Sequence, residues 1–405
     1  DRLRPFADRF VPTEPGLIYL DGNSLGRLPA ATMSRMQEVV AVEWGDRLVR
    51  SWPERWWDLA DETGGQIAPL IGADPTEVIV ADSTSVTILK LTVAALRARQ
   101  DRTRIVTDDM NFPTDVYATR AAADLAGGRE IVIVPSVDAI HGPVDDIIAA
   151  LDEDTALLTL THVAFKSGYR YDMERLTRAA HDVGALVLWD LSHSVGAVPI
   201  DLDRAGADLA VGCTYKYLNG GPGSPAFLYV SKRVAPVIGN PFSGWWGHEN
   251  PFAFDLDYTP SPSIRRFQTG TMPILSLAAV ETGVALTAEA GIKDLRIKSV
   301  GLSEFFIEQS LVHLGPLGFE LASPRDADQR GSHVSLRHPD GWRIVRAMIE
   351  HAAIIPDFRE PDNLRFGFTP LSTSYADVHT AVIRIRDLTT AGLHFTYTPD
   401  RAPVT

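Results

Sequence analysis

One lysine stands in an unusual run, Cys213-Thr214-Tyr215-Lys216-Tyr217-Leu218-Asn219-Gly220-Gly221-Pro222-Gly223, directly after the apolar residues 209–212. Burial lowers a lysine's pKa, and the neutral amine is then free to form a Schiff base with a carbonyl. A surface lysine before a Gly-Pro turn would explain the same letters. A second run, Trp189-Asp190-Leu191-Ser192-His193-Ser194-Val195-Gly196, follows the apolar residues 186–189. It sets a carboxylate at the C-terminal end of a strand, where open α/β sheets bind ligands. A turn-capping Asp190 and a satisfied buried His193 are the ordinary alternatives. A third run, Asp82-Ser83-Thr84-Ser85-Val86-Thr87, joins a strand to a helix. Hydroxyls and free N–H groups at a helix N-terminus cradle phosphate, although Ser and Thr are also plain caps. The fourth, Asn111-Phe112-Pro113-Thr114-Asp115, offers a flat aromatic face and a second acid, or simply a core phenylalanine.

These runs need a framework, and the hydrophobic pattern supplies one. Residues 77–81, 104–107, 131–134, 156–161, 186–189, 209–212 and 226–230 read as short buried strands. Helical patterns separate most of them, among them 86–99, 116–126 and 173–183. Near-continuous apolar strands alternating with helices predict a parallel sheet covered on both faces. Residues 236–273 are rich in Pro, Gly and Trp without a period, and loops of that length usually serve function. Helical stretches at 274–290 and 292–314 precede segments 332–337, 342–351 and 363–368, which read as a smaller α+β domain. The expected division is an N-terminal segment 1–45 joining the small domain, a large domain 46–275, and the small domain 276–405.

Composition narrows the class. The chain has 405 residues, 45% hydrophobic and 22% charged, ample for a sizeable core. Its net charge of −14 repels phosphate backbones and anionic lipid, so neither nucleic acid nor membrane is an expected partner. A single cysteine excludes an internal disulfide and any multi-cysteine metal site. No apolar run reaches the roughly 18 residues of a membrane span, and residues 1–5 lack a signal peptide's apolar core. The expectation is a soluble, cytoplasmic enzyme with no metal.

The order of the four runs carries more than any one of them. A phosphate cradle, an aromatic, an Asp after a strand and then a Lys resembles the fold-type-I enzymes of pyridoxal 5'-phosphate (PLP). Tyr19-Leu20-Asp21-Gly22-Asn23-Ser24-Leu25-Gly26 and Gly244-Trp245-Trp246-Gly247-His248 narrow the resemblance to kynureninases, as does Asn363-Leu364-Arg365-Phe366-Gly367-Phe368. That resemblance implies a large domain with a mostly parallel seven-stranded sheet, a small α+β C-terminal domain, and a homodimer with shared active sites. It implies hydrolysis of the Cβ–Cγ bond of L-kynurenine or 3-hydroxy-L-kynurenine, through an aldimine and a ketimine, to an anthranilate and L-alanine. Lys216 would carry the cofactor and move protons, and Asp190 would hold the pyridinium nitrogen protonated. Phe112 would stack on the ring with Asp115, His193 and Thr161 nearby. Thr84, Ser85 and Tyr215 would hold the phosphate, with Trp245 and Thr271 lent by the neighbouring subunit. Arg365 would clamp the substrate carboxylate, Trp52 would line the aryl pocket, and Tyr215 would serve proton transfer at the ketone.

Other readings remain. An aminotransferase or epimerase of the same superfamily shares the Lys and Asp but leaves residues 19–26 and 244–248 unexplained. A cysteine desulfurase needs a mobile cysteine, and Cys213, three residues before Lys216, reads as structural. A non-catalytic PLP-binding protein would lack the lysine. Ring preference stays open, as does the choice between tryptophan catabolism, NAD supply and an antibiotic precursor.

Overall fold

A computed structural model describes residues 1–399. Its strands, in chain order, are β1 (Ile18–Tyr19), β2 (Val78–Val80), β3 (Arg104–Asp108), β4 (Glu130–Val134), β5 (Thr155–Thr161), β6 (Leu186–Asp190) and β7 (Leu209–Gly212). They continue with β8 (Phe227–Val230), β9 (Glu320–Leu321), β10 (His333–Arg337), β11 (Ile354–Ile355), β12 (Asp357–Arg359) and β13 (Asn363–Gly367). Seven of them form one sheet in the order β2-β8-β7-β6-β5-β3-β4. Every residue of β5, β6 and β7 is buried, because helices cover both faces. The helix Met173–Asp182 shows how: Met173, Leu176, Thr177 and Ala180 face inward at helical spacing, and the Asp172 side chain caps its first turn.

The sheet departs from uniform parallel order at β8, which runs antiparallel to both β7 and β2. A parallel return needs a crossover, normally a helix. The chain between β7 and β8 holds no helix; it is spent on the Lys216 loop and a glycine turn, so the strand comes back reversed.

The small domain is a four-stranded antiparallel sheet, β12-β13-β10-β9, packed under the helices Ile292–His313, Gly341–His351 and Tyr375–Thr390. Phe306, Leu336, Phe366 and Ile385 lie in its separate core. The N-terminal segment joins it, since β1 pairs in parallel with β11 and Leu20 enters the same core. The helix Ile274–Ala290 instead buries Leu277, Ala278, Val280 and Val284 against the large sheet's core. Residues 236–273 hold only three short 3-10 turns, Trp245–Gly247, Pro251–Ala253 and Ile264–Phe267. No single helix among the described residues is long and apolar enough to cross a membrane.

One loop ties the two domains. Residues 163–170, after β5, hand successive carbonyls to small-domain donors. Arg365 Nη1 donates to Phe165 O at 2.6 Å, Ser335 Oγ to Lys166 O at 2.5 Å, and Ser323 Oγ to Ser167 O at 2.5 Å. The Gly331 N–H follows on Gly168 O at 2.8 Å. Buried backbone carbonyls must be paired, so this ladder sets where the small domain sits over the sheet.

Candidate active site

The loops leaving β2, β3, β6 and β7 meet at a cavity of about 200 Å³. Lys216 reaches it from the loop after β7, and its Nζ lies 2.9 Å from His193 Nε2. Burial and the charges of Lys216 and Arg365 push His193 well below the ordinary histidine range. The imidazole is therefore neutral and accepts from Lys216. Gly26 makes this loop possible. Its N–H donates to Tyr215 O at 2.7 Å, and a Cβ there would lie 2.3 Å from Lys216 O. Any larger residue would push the N-terminal loop off the lysine.

Asp190 closes β6 and accepts from the Ser192 N–H at 2.9 Å and the Ser192 hydroxyl at 2.6 Å. Asp115 lies beside it. Burial and the neighbouring Asp190 charge push the Asp115 carboxyl well up, so it keeps its proton. Burial also raises Asp190, opposed by the Lys216 charge and the Ser192 bonds. The two acids lie side by side near Lys216, with Asp115 the more strongly raised of the pair. Burial likewise raises the Tyr215 phenol, which keeps its proton.

The phosphate end is the first turn of the helix Thr84–Ala98. Its leading N–H groups have no helical partner, the Ser83 side chain does not cap them, and Thr84 and Ser85 line the cavity. Phe112, 40% exposed, lines the cavity and makes a T-shaped contact with Phe165 at 5.3 Å. Asp108 holds this aromatic loop in shape. Its Oδ1 accepts from Met110 N and Asn111 N at 3.1 Å and from Asn111 Nδ2 at 2.9 Å, while Tyr171 donates to Oδ2.

Burial pushes Asp108 up to about 7 despite those bonds. An acid raised on folding binds more protons folded than unfolded, so its contribution is full at low pH and fades as pH rises through 7. Asp108→Asn keeps the acceptor and supplies a donor for Tyr171. In thermal melts from pH 4 to pH 8, the wild type should lose stability across that window and the variant should show a flatter profile.

Arg365 sits on β13, directly opposite Asp357 of β12 and Ser335 of β10. Its guanidinium, 1% exposed, donates to Phe165 O, to Ser24 Oγ at 2.8 Å and to Asp357. Nε has no partner among the described residues, which leaves donors for an arriving carboxylate.

Thr84, Ser85, Phe112, Asp115, Asp190, His193, Tyr215, Lys216 and Arg365 all line this one cavity. Thr161 stands one strand over, in register with Asp190, with its hydroxyl donating to Val163 O at 3.0 Å. Trp52, Trp245 and Thr271 lie outside the cavity of their own chain. Trp52 packs against Trp56 and Trp246, both at 5.2 Å, and Trp245 is 44% exposed. Asn23, Ser24, Thr114 and Ser192 also line the cavity; they fall inside the motif runs but carried no assigned role. Arg359 was missed altogether. Period-two spacing could have found it, because Asp357 and Arg359 share a strand face across a turn from Arg365.

These residues fit PLP. Unpaired first-turn amides suit a phosphate, an exposed phenyl face suits a flat ring, and a buried carboxylate suits a pyridinium. Lys216, beside a neutral histidine, suits an aldehyde. The comparisons agree. The chain superposes on a cysteine desulfurase from Thermococcus onnurineus NA1 with a TM-score of 0.82, at 19% identity, covering 95% of this chain and 98% of that one. A C-DES mutant with glycine covalently linked to its PLP cofactor superposes with a TM-score of 0.78, at 17% identity, over 93% of this chain and 100% of that one. The fold is therefore PLP fold type I. The desulfurase likeness stops there, because Cys213 is 1% exposed and burial raises its thiol pKa.

Sequence relatives decide the family and, with it, the cofactor, which is PLP. The description "Kynureninase C-terminal domain" matches residues 295–385. A kynureninase of Pseudomonas fluorescens is 46% identical over 94% of this chain and 91% of its own length. One of Burkholderia mallei (strain SAVP1) is 44% identical over 96% and 92%. On that span of identity, the chain belongs to the kynureninase family.

Proposed function

We propose that this enzyme hydrolyses the Cβ–Cγ bond of L-kynurenine, or of its 3-hydroxy form, releasing an anthranilate and L-alanine. The observation that carries the reading is Arg365, buried with donors unspent, in the same cavity as Lys216, Asp190 and Tyr215. Bound PLP supplies the electron sink for carbanion character at Cα and Cβ. Arg365 takes the substrate α-carboxylate and so fixes the amino acid's orientation. Lys216 moves the proton at Cα, and neutral His193 accepts a hydrogen bond from its amine. Asp190 would pair with the ring nitrogen of the bound cofactor, with the raised Asp115 beside it. Water adds to the aryl ketone, loss of a hydroxyl proton collapses the adduct, and the Cβ–Cγ bond breaks. The water oxygen stays on the aryl carboxylate and Cβ takes up a proton. Tyr215, protonated beside Lys216, is the group we assign to proton transfer at the ketone and Cβ.

The working form we infer is a homodimer. Trp245 and Thr271 sit away from their own cavity, and Phe252, Phe254 and Leu256 are exposed nearby. An exposed apolar segment of this kind suits a second copy. Trp245 and Thr271 would then complete the neighbour's phosphate site, and Trp52 its aryl pocket. We place the enzyme in the cytoplasm, in keeping with its single buried cysteine.

The test is direct. PLP-loaded protein is given L-kynurenine and 3-hydroxy-L-kynurenine in parallel, with anthranilate-type fluorescence and alanine both followed. Turnover of either establishes the reaction, and the ratio of kcat/KM sets the ring preference. Turnover of neither, with amino transfer to a keto acid instead, overturns it.

A further inference from the structure

The helix that cradles the phosphate carries a lysine, Lys90, that no step above uses. It is 3% exposed. Its Nζ lies 2.5 Å from Asp82 Oδ2 and donates to Phe267 O at 2.8 Å. The other Asp82 oxygen, Oδ1, accepts from Thr269 Oγ1 at 3.2 Å. Asp82 is two residues before the helix and has a positive φ of 47°. Asp82 stands one residue before the N-cap Ser83, near enough to the first turn for its charge to oppose an incoming phosphate. Both oxygens are instead engaged on the side of Lys90 and Thr269, and the first turn stays uncapped.

We propose that Lys90 is a positioning residue for PLP: it holds the Asp82 carboxylate away from the Thr84–Ser85 turn and cancels its charge, keeping those amides open to phosphate. The same contacts reach the segment that carries Thr271. Phe267 and Thr269 are bonded to the Lys90–Asp82 pair, and Gln268 Nε2 donates to Val80 O at 2.8 Å. One buried cation therefore shapes the phosphate turn of its own chain and the base of the segment offered to a neighbour. The proposal rests on Thr84–Ser85 as the phosphate turn and is independent of which kynurenine is the substrate.

The experiment titrates apo-protein with PLP and with pyridoxal, which lacks the phosphate, following absorbance and the ligand-induced rise in Tm. Wild type should bind PLP far more tightly than pyridoxal. Lys90→Met should weaken PLP at least about tenfold and leave pyridoxal within about twofold. Adding Asp82→Gly, which tolerates the positive φ, removes the released carboxylate and should restore most of the PLP affinity. Thr269→Val, a milder change, should weaken PLP about threefold on its own. Equal weakening of PLP and pyridoxal by Lys90→Met, or no rescue in the double variant, overturns the proposal. A wild type indifferent to the phosphate would overturn the phosphate turn itself, and the proposal with it.

Discussion

Lys216→Ala should lower turnover by at least about 10⁴-fold and remove the visible absorbance of the lysine-bound cofactor. The size follows from two losses at one atom. Lys216 is the amine placed to bind the cofactor's aldehyde and the group placed to move the Cα proton, and general acid–base transfer alone is worth about 10²–10⁴. No neighbour replaces it. His193, at 2.9 Å, is held neutral by burial and by nearby cations, and Tyr215 keeps its proton because burial raises it. PLP should still bind, since the phosphate turn, Phe112 and Asp190 are untouched. Absorbance spectra and single-turnover assays on the variant decide the matter. A variant that turned over at the wild-type rate would remove Lys216 from the mechanism.

The second large effect is expected at Arg365. Arg365→Ala should lower kcat/KM for the amino-acid substrate about 100-fold, mostly through KM, with PLP affinity unchanged. A charge-assisted hydrogen bond contributes about 1.5–3 kcal/mol, and about 1.4 kcal/mol corresponds to tenfold. The same change should cost stability, because Asp357 is 7% exposed and loses one cation, keeping Arg359 at 2.8 Å. Breaking a buried pair from one side costs about 3–5 kcal/mol, and the remaining partner reduces that here. Adding Asp357→Asn should therefore recover Tm without recovering KM. Steady-state kinetics and melts of the single and double variants separate the two roles. Recovery of KM along with Tm would mean that Arg365 only holds the sheet together.

Much of this site's chemistry can be read from local letters because Asp190 ends a strand and Lys216, Phe112 and Thr84 sit in loops or turns just after one. Buried strands announce themselves as apolar runs, and the residue just past such a run must lie at the sheet's C-terminal edge. That reasoning places Asp190, Lys216, Phe112 and Thr84 at one edge. Element limits were less exact. The helices expected at 86 and 116 begin at Thr84 and Pro113, because the free first turn of each is built from the loop residues themselves. The reversal of β8 is not legible in the sequence, since an apolar run reads the same in both directions.

Other features depend on contacts between distant parts of the chain. Arg365 becomes a carboxylate clamp only when strand pairing sets it beside Asp357, Ser24 reaches over from the N-terminal loop, and Phe165 O arrives from the interdomain loop. Asp115 holds a proton only because folding buries it next to Asp190. Lys90 reads as one more helical lysine until Asp82 and Phe267 close around it. Residue identity and period determined the strands, the helices and the kinds of group available, because burial of apolar side chains follows spacing along the chain. Which charges face each other, and so which protons stay, was decided by the tertiary fold, because electrostatic energy depends on distance and burial, and neither is local in sequence.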